Sequence, residues 1–206
     1  MCSITIPSTF PAECSPLVIQ LPALKMTDDQ FFDFAQLNKE LRIERTASGE
    51  LIVMTPAGGE SSGRNASITS QLYVWATKDG TGTAFDATGG FILPNTAVRS
   101  PDASWVSHER LNKLTGKERK KFLPLCPDFA IELVSPSDRL SVVKDKLEEY
   151  IQQGAKLGLI IHPEKRQVYV YRPNVPADLL AEPETVSCDP ELPGFVLVMG
   201  KIWKPF

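Results

Sequence analysis

The sequence lacks several features that would place it in a common protein class. No apolar run in its 206 residues reaches the roughly 20 residues needed to cross a bilayer, so we expect no membrane span. Its four cysteines show no C-x-x-C spacing, which argues against a zinc knuckle, a redox pair or a disulfide framework. The two histidines, His108 and His162, have no partners at metal-ligand spacing. The first residues lack the basic and apolar segments of a secretory signal, which predicts a cytoplasmic protein.

The composition is that of an ordinary globular protein with a slight acidic excess. Apolar residues make up 42% of the chain and charged residues 23%, and the length suits one domain, which we expect over residues 25–206. Prolines at positions 7, 11, 16 and 22 predict an extended lead-in over residues 1–24. The net charge of −3 argues against a protein that coats nucleic acid by bulk electrostatics.

One short segment is nonetheless strongly basic. Its cations are Arg110, Lys113, Lys117, Arg119, Lys120 and Lys121. Such a basic flank either grips a phosphate backbone or is a solvated surface segment, and the sequence alone leaves both interpretations open. An acidic centre is compatible with the first interpretation, because a nuclease gathers carboxylates to hold a cation.

Hydrophobic periodicity and turn residues predict alternating helices and strands. Thr27 and Gln30 form a capping box that starts a helix, and apolar runs around a glycine turn predict a β-hairpin over residues 41–54. Helical spacing predicts a helix over about residues 64–77, with the glycines before it as a flexible approach. The glycines within residues 80–102 predict two short strands that turn back on each other. This order predicts an α/β fold in which helices pack on a mixed sheet.

Two acids stand in or beside predicted strands. The segment over residues 129–134 is apolar except for Glu132, which predicts a largely buried central strand. A carboxylate inside such a strand is costly unless it is paired or binds a metal, so Glu132 is the most informative single residue. Asp102 follows Pro101 and begins another strand. Aspartate after proline is also a common turn residue, but the presence of the strand acid favours a joint role.

A helix follows the Glu132 strand and carries two candidate lysines. Ser135 to Asp138 supply its start, and apolar residues mark one face up to Gly154. Lys144 and Lys146 lie on opposite borders of that face, so periodicity leaves both as candidates to reach the end of the strand. A lysine at such a border also covers apolar surface without any chemical role.

Two carboxylates and one lysine are the residue types that metal-dependent phosphodiester cleavage requires. Carboxylate oxygens bind a hard divalent cation, which polarises a phosphoryl oxygen and lowers the pKa of a water. A neighbouring ammonium stabilises the charge that builds up on the phosphate, or serves as a base if burial lowers its pKa. The order acid, acid, base along the chain therefore predicts a nuclease.

Three stretches of the chain carry a specific family resemblance. They are RSPDASWV at residues 99–106, CPDFAIELVSPSD at 126–138 and KLEEY at 146–150. With these motifs the chain resembles the Uma2-type restriction endonuclease family, a branch of the PD-(D/E)XK nuclease superfamily, over residues 25–203. The resemblance implies a restriction-endonuclease-like core, in which helices pack on a central mixed β-sheet.

The resemblance also implies site residues and a cofactor. Asp102 and Glu132 would hold Mg²⁺ or Mn²⁺, and Lys146 would position or deprotonate the attacking water. Val134 stands where the superfamily pattern has its lysine, and this family carries the lysine on the following helix, which favours the later of the two candidates. Glu60 resembles a helix acid that some of these nucleases add to the metal site.

We therefore expect a Mg²⁺-dependent endonuclease that hydrolyses phosphodiester bonds in DNA. It would act as a homodimer, because cutting two antiparallel strands requires two sites. Two other classes stay open. One is a nuclease-fold module of a restriction or mobile-element system that binds DNA or a partner without cutting; the other is a metal-dependent hydrolase of small phosphoesters, which needs no basic flank.

Overall fold

Short strands and a few helices form the part of the chain that the structure describes. The computed structural model describes residues 17–19 and 26–206. The strands are β1 (Leu17–Ile19), β2 (Arg42–Arg45), β3 (Leu51–Met54), β4 (Gly82–Asp86), β5 (Phe91–Ile92), β6 (Val98–Arg99), β7 (Ala103–Ser107), β8 (Phe129–Leu133), β9 (Leu157–His162), β10 (Gln167–Tyr171), β11 (Asp178–Ala181), β12 (Thr185–Ser187) and β13 (Val196–Val198). The α-helices are α1 (Asp28–Leu37), α2 (Gly59–Asp79), α3 (His108–Leu111), α4 (Leu140–Gln152) and α5 (Gly200–Trp203).

The largest sheet has six strands in the order β11-β10-β9-β8-β7-β4, with β8 at its centre. Strand β8 pairs antiparallel with β7 and parallel with β9. A parallel pair cannot be joined by a tight turn, so the chain crosses from β8 to β9 through helix α4. All five residues of β8 and all six of β9 are buried, as expected for inner strands with helices on both faces.

The two faces of this sheet pack against different helices. On one face, Ile131 belongs to the core that includes Ile68 and Leu72 of α2. On the other face, Ala130 belongs to the core that includes Leu147 and Tyr150 of α4. Side chains alternate along a strand, so Glu132 lies on the same face as Ala130, toward α4.

A second sheet of five strands has the order β1-β3-β2-β6-β5. Helix α1 packs on it through Phe31, which is fully buried beside Ile43 and Leu51. Strand β6 is followed almost at once by β7 of the large sheet, so the two sheets meet around residues 99–103. This junction brings Glu44 of β2 to Lys146 of α4, the lysine that also contacts Glu132 near the end of β8.

Several expectations from the sequence are confirmed. Helices pack on a mixed sheet, and α1 begins at a capping box in which Thr27 and Gln30 bond to each other's backbone N–H. Strands β2 and β3 form the predicted antiparallel hairpin. Within residues 17–19 and 26–206 no helix is long and apolar enough to cross a membrane. The expected lead-in over residues 1–24 lies outside the described residues, apart from β1.

Other expectations are wrong in detail. Helix α2 begins at Gly59 rather than near residue 64, so Gly58 is its N-cap and Gly59 its first residue instead of parts of a flexible approach. Helix α4 begins at Leu140, because Ser135 and Asp138 close a turn before it through a bond from the Ser135 N–H to the Asp138 carboxylate. Strands β4 and β5 do not pair with each other. They belong to different sheets, in which β4 pairs with β7 and β5 pairs with β6.

Candidate active site

Glu132 lies near the end of β8 and is buried. Its Oε1 atom lies 2.8 Å from Nζ of Lys146 and accepts a hydrogen bond of 3.2 Å from the Tyr150 hydroxyl. Both partners come from α4, the helix on the same face of the sheet. No described residue donates a hydrogen bond to the Oε2 atom, so this oxygen is available to another ligand.

Asp102 immediately precedes β7, the antiparallel neighbour of β8. Ala103 pairs with Ile131, so continuing this register puts Asp102 opposite Glu132. The Oδ2 atom accepts the backbone N–H of Leu133 at 2.9 Å, and Oδ1 accepts a longer bond of 3.3 Å from Nδ2 of Asn65 on α2. The two acids predicted from the sequence therefore lie side by side at one edge of the central strands.

The structure distinguishes the two candidate lysines. Lys146 lies against Glu132, and its ammonium also lies 2.9 Å from Oε1 of Glu44. Lys144 turns the other way and lies 4.3 Å above the ring of Tyr169. Residues two positions apart on a helix differ by about 200° in direction, so only one of the two can face the strand acids.

Glu44 is a residue of the site that sequence reasoning missed. It lies on β2 of the second sheet and is only 2% exposed. Its Oε1 atom accepts bonds of 2.9 Å from both Lys146 and the backbone N–H of Ser100, and its Oε2 lies 3.2 Å from Arg99. The three donors allow Glu44 to be buried as a charged carboxylate. Without them, the side chain would turn toward solvent or become protonated.

The pairs continue from Glu44 back to helix α4. Arg99 donates from Nε to Glu149 at 2.6 Å, and Asn95 donates to the other oxygen of Glu149 at 2.8 Å. Lys146 and Glu149 are three residues apart on α4, so they lie on one side of the helix. The chain of contacts from Lys146 through Glu44 and Arg99 to Glu149 therefore ties α4 to the second sheet.

The structure places the other predicted residues away from these contacts. Glu60 of α2 is 61% exposed and pairs with Arg64 at 2.8 Å. Among the described residues no hydrogen bond or ion pair joins Glu60 to Asp102 or Glu132, so its role as a metal ligand stays a prediction. The helix reaches Asp102 through Asn65 instead.

The predicted basic flank lies partly at the opposite end of β8. Arg110 pairs at 3.2 Å with Asp128, which precedes the first residue of β8, whereas Glu132 is near the last. Lys113 pairs with Glu109, and Lys121 pairs with Asp29. These three cations are thus compensated by neighbouring acids.

Comparison with known proteins identifies the family of this chain. A family model of Uma2, whose description is "Putative restriction endonuclease", matches residues 28–200. The chain belongs to the Uma2 family. A search of curated proteins gives no match.

A solved structure shows that this Uma2 chain shares its fold with a known protein. The crystal structure of a protein from Anabaena variabilis ATCC 29413, described as a putative nuclease belonging to DUF820, is similar with a TM-score of 0.71. The two sequences are 19% identical, and the match covers 88% of this chain and 99% of the other. At this identity the likeness establishes the fold.

Burial and neighbouring charges shift the pKa values of the groups in the Uma2 site in opposite directions. Burial, together with the repulsion of Asp102 and Glu44, raises the pKa of Glu132 to about 7 although Lys146 lies beside it. Burial also opposes the charged form of Glu44, but Lys146 and Arg99 outweigh it and hold the pKa of Glu44 below its usual value. The acids likewise outweigh burial at Lys146 and raise the pKa of its ammonium. Ionised Glu132 is therefore only partly compensated by neighbouring charges.

A divalent cation fits the donor set at Asp102 and Glu132. Both residues offer carboxylate oxygens, and Oε2 of Glu132 has no hydrogen-bond donor among the described residues. Within residues 17–19 and 26–206, no group of three or more His, Cys, Asp or Glu side chains is arranged to hold a metal. This is compatible with Mg²⁺, which is commonly held by one or two carboxylates and keeps several waters.

Proposed function

We propose that this chain is a divalent-cation-dependent endonuclease that hydrolyses phosphodiester bonds in DNA. The observation that carries the proposal is the contact of 2.8 Å between Lys146 and Glu132, with Asp102 directly before the adjoining strand β7. Two acids and an ammonium on one face are the groups that phosphodiester cleavage uses. Membership of the Uma2 family supports the assignment, and so does the shared fold.

Asp102 and Glu132 would hold the cation, Mg²⁺ or Mn²⁺. When bound, the cation polarises the phosphoryl oxygen and makes a water more acidic. Asp102 is held in place by the backbone N–H of Leu133, and Glu132 by Tyr150 and Lys146, so neither carboxylate needs to reorganise before it binds. Glu60 stays a predicted third ligand.

Lys146 would act as a charged hydrogen-bond donor. An ammonium has three hydrogens, and the acceptors in contact with it in the described part of the chain are Oε1 of Glu132 and Oε1 of Glu44. One hydrogen is left for a phosphate oxygen or the attacking water. The two carboxylates stabilise the protonated form, which suits a donor that offsets charge building up on phosphate.

The partners follow from the reaction. The substrate is DNA, and we expect a homodimer because a two-fold dimer presents one site to each strand of a duplex. Size-exclusion chromatography with light scattering tests the dimer. A cytoplasmic location stays a prediction.

The experiment that tests the proposal is cleavage of supercoiled and linear DNA by the purified chain, with Mg²⁺, Mn²⁺ or a chelator. The variants are Asp102→Ala, Glu132→Ala and Lys146→Ala, with Lys144→Ala as the matched lysine control. We expect cleavage that depends on the cation and is lost in the first three variants but kept in the control. A small phosphoester such as p-nitrophenyl phosphate, added as a competing substrate, distinguishes a nuclease from a phosphoesterase.

Two outcomes would overturn the proposal. Cleavage that persists equally in the acid variants would come from a contaminant or another site. A wild-type chain that binds DNA but does not cut it with either cation would instead be a binding module with a nuclease fold.

A further inference from the structure

Among the described residues, three cationic side chains lie around the acids, and they differ in their exposure to solvent. The side chains of Arg99 and Lys146 are 10% and 15% exposed, whereas that of Arg42 is 34% exposed. Arg99 and Lys146 each contact two carboxylates at 3.2 Å or less. Arg42 is thus the cation of this group that is open to a ligand arriving from outside.

Arg42 is also incompletely bonded. A guanidinium has five N–H donors. Nη2 donates to the carbonyl oxygen of Ser100 at 2.6 Å, and Nη1 lies 3.5 Å from Oδ1 of Asp102, at the limit of a hydrogen bond. The buried Nε has no partner among the described residues. At least three of the five donors therefore have no acceptor in the described part of the chain.

The Arg42 side chain lies beside the acids that would hold the cation. Its Nη1 lies 3.5 Å from Oδ1 of Asp102, and although burial opposes the charged form, Asp102, Glu132 and Glu44 outweigh burial and raise the pKa of Arg42. Asn65, the other side chain at Oδ1 of Asp102, also has an unpartnered buried atom, its Oδ1. Buried polar atoms without partners are unusual in a finished site and indicate that a ligand or water completes it.

We infer that Arg42 binds a non-bridging oxygen of the substrate's phosphodiester and is a substrate-binding residue of this chain. The inference rests on the proposed function and adds to it the protein group that holds the phosphate. The planar guanidinium matches two phosphate oxygens, and the contact with Ser100 fixes its orientation. Because the contact of Nη1 with Asp102 is long, Nη1 can exchange it for a phosphate oxygen while Nη2 stays on Ser100 and Asp102 binds the cation.

The test is a DNA-binding titration that does not depend on cleavage. A short fluorescein-labelled duplex is titrated in Mg²⁺ with Lys146→Ala as the parent, because this parent keeps both acids. Fluorescence anisotropy gives the affinity between about 50 and 200 mM NaCl. Arg42→Gln and Arg42→Lys are introduced into this parent.

Arg166→Gln is the matched control. Arg166 has a similar exposure of 41% and a similar contact of 3.6 Å with an acid, Glu182, but it lies on the turn between β9 and β10, toward the β11 edge. Thermal denaturation followed by circular dichroism checks that all variants fold. Arg42→Lys keeps a charge beside Asp102 and so guards against a loss of folding in Arg42→Gln.

We expect Arg42→Gln to bind about tenfold more weakly and to reduce the slope of log K against log salt by about 0.9, the value for one lost phosphate contact. Arg42→Lys should keep the slope with intermediate affinity, because lysine keeps the charge but not the paired donors. Arg166→Gln should match the parent.

Equal affinities and slopes in Arg42→Gln and the parent, or equal losses in Arg42→Gln and Arg166→Gln, would overturn the inference while the nuclease proposal stands. A parent and a wild type that both bind no DNA would overturn both proposals. An inactive wild type with the expected Arg42 effect would overturn cleavage alone.

Discussion

Oε1 of Glu44 lies 2.9 Å from Nζ of Lys146, although the two residues are 102 positions apart in the chain. Glu44 belongs to the second sheet, and Lys146 belongs to the helix that crosses between β8 and β9. The contact therefore joins the second sheet to the strands that carry Asp102 and Glu132. It also gives Lys146 two carboxylate neighbours, which hold its ammonium beside Glu132.

Replacing Glu44 should destabilise the fold. Glu44→Gln keeps the size of the side chain but removes a buried negative charge that contacts Lys146 and Arg99. Because these cations lose a partner inside the protein, we expect the free energy of unfolding to fall by about 3 kcal/mol. Urea denaturation followed by circular dichroism measures the change.

Glu182→Gln is the control for this experiment. Its carboxylate is exposed and pairs with Arg166 at 3.6 Å, so its removal should change the free energy of unfolding by less than about 0.5 kcal/mol. Equal losses in Glu44→Gln and Glu182→Gln would show that the buried network contributes nothing beyond ordinary surface pairing.

The two lysines of α4 should differ sharply in cleavage. Lys146→Met removes the donor beside Glu132, and we expect the cleavage rate to fall by about 10²-fold or more. Lys144→Met removes a cation that lies over Tyr169, so the rate should change by less than about twofold. Initial rates of plasmid relaxation at matched Mg²⁺ concentrations decide the point. A larger loss in Lys144→Met than in Lys146→Met would reverse the assignment.

The central strands and their acids are predictable from the sequence for a physical reason. An acid in an apolar strand, as at Glu132, conflicts with its surroundings, and that conflict is visible in a linear pattern. Asp102 is predictable because it is an acid at the start of the strand that precedes the Glu132 strand in the sequence. The preference for Lys146 over Lys144 needed the family resemblance, because helical periodicity alone treats the two lysines alike.

Glu44 and Arg42 could not be found in the same way. Strand β2 has the sequence Arg-Ile-Glu-Arg, whose charges are typical of an exposed hairpin strand. Glu44 becomes buried only when β6 and α4 pack beside β2, through contacts with residues more than fifty positions away in the chain. The pairing of β4 with β7 instead of β5 escaped prediction for a similar reason, since partner choice in a sheet depends on long-range packing.

The pKa of Glu132 predicts how stability depends on pH in the absence of divalent cations. An acid whose pKa is about 7 in the folded chain and 4.5 when unfolded binds more protons in the folded state. Its contribution favours folding below pH 4.5 and is lost as the pH rises through about 7. We expect this loss to amount to roughly 3 kcal/mol.

Glu132→Gln removes the titration while keeping the shape of the side chain. Urea denaturation of wild type and variant in chelator, from pH 5 to pH 8, gives the difference in unfolding free energy at each pH. Wild type should lose stability relative to Glu132→Gln as the pH rises. A difference that stays constant, or that changes in the opposite direction, would mean that Glu132 is already ionised at pH 5 in the folded chain.

A divalent cation should reverse this effect by binding to Asp102 and Glu132. A ligand that binds the folded state at about 100 times its Kd stabilises it by about 2.7 kcal/mol, so Mg²⁺ or Mn²⁺ should raise the melting temperature of wild type at pH 7. Asp102→Asn and Glu132→Gln each remove one ligand charge and should lose most of the rise. Glu60→Gln tests the predicted third ligand, whose carboxylate pairs with Arg64 at 2.8 Å, and a rise that Glu60→Gln keeps in full would remove Glu60 from the metal site. A rise that is lost in Glu60→Gln as well would add this helix acid to the metal site, and a rise that survives in Asp102→Asn and Glu132→Gln would move the cation away from the central strands.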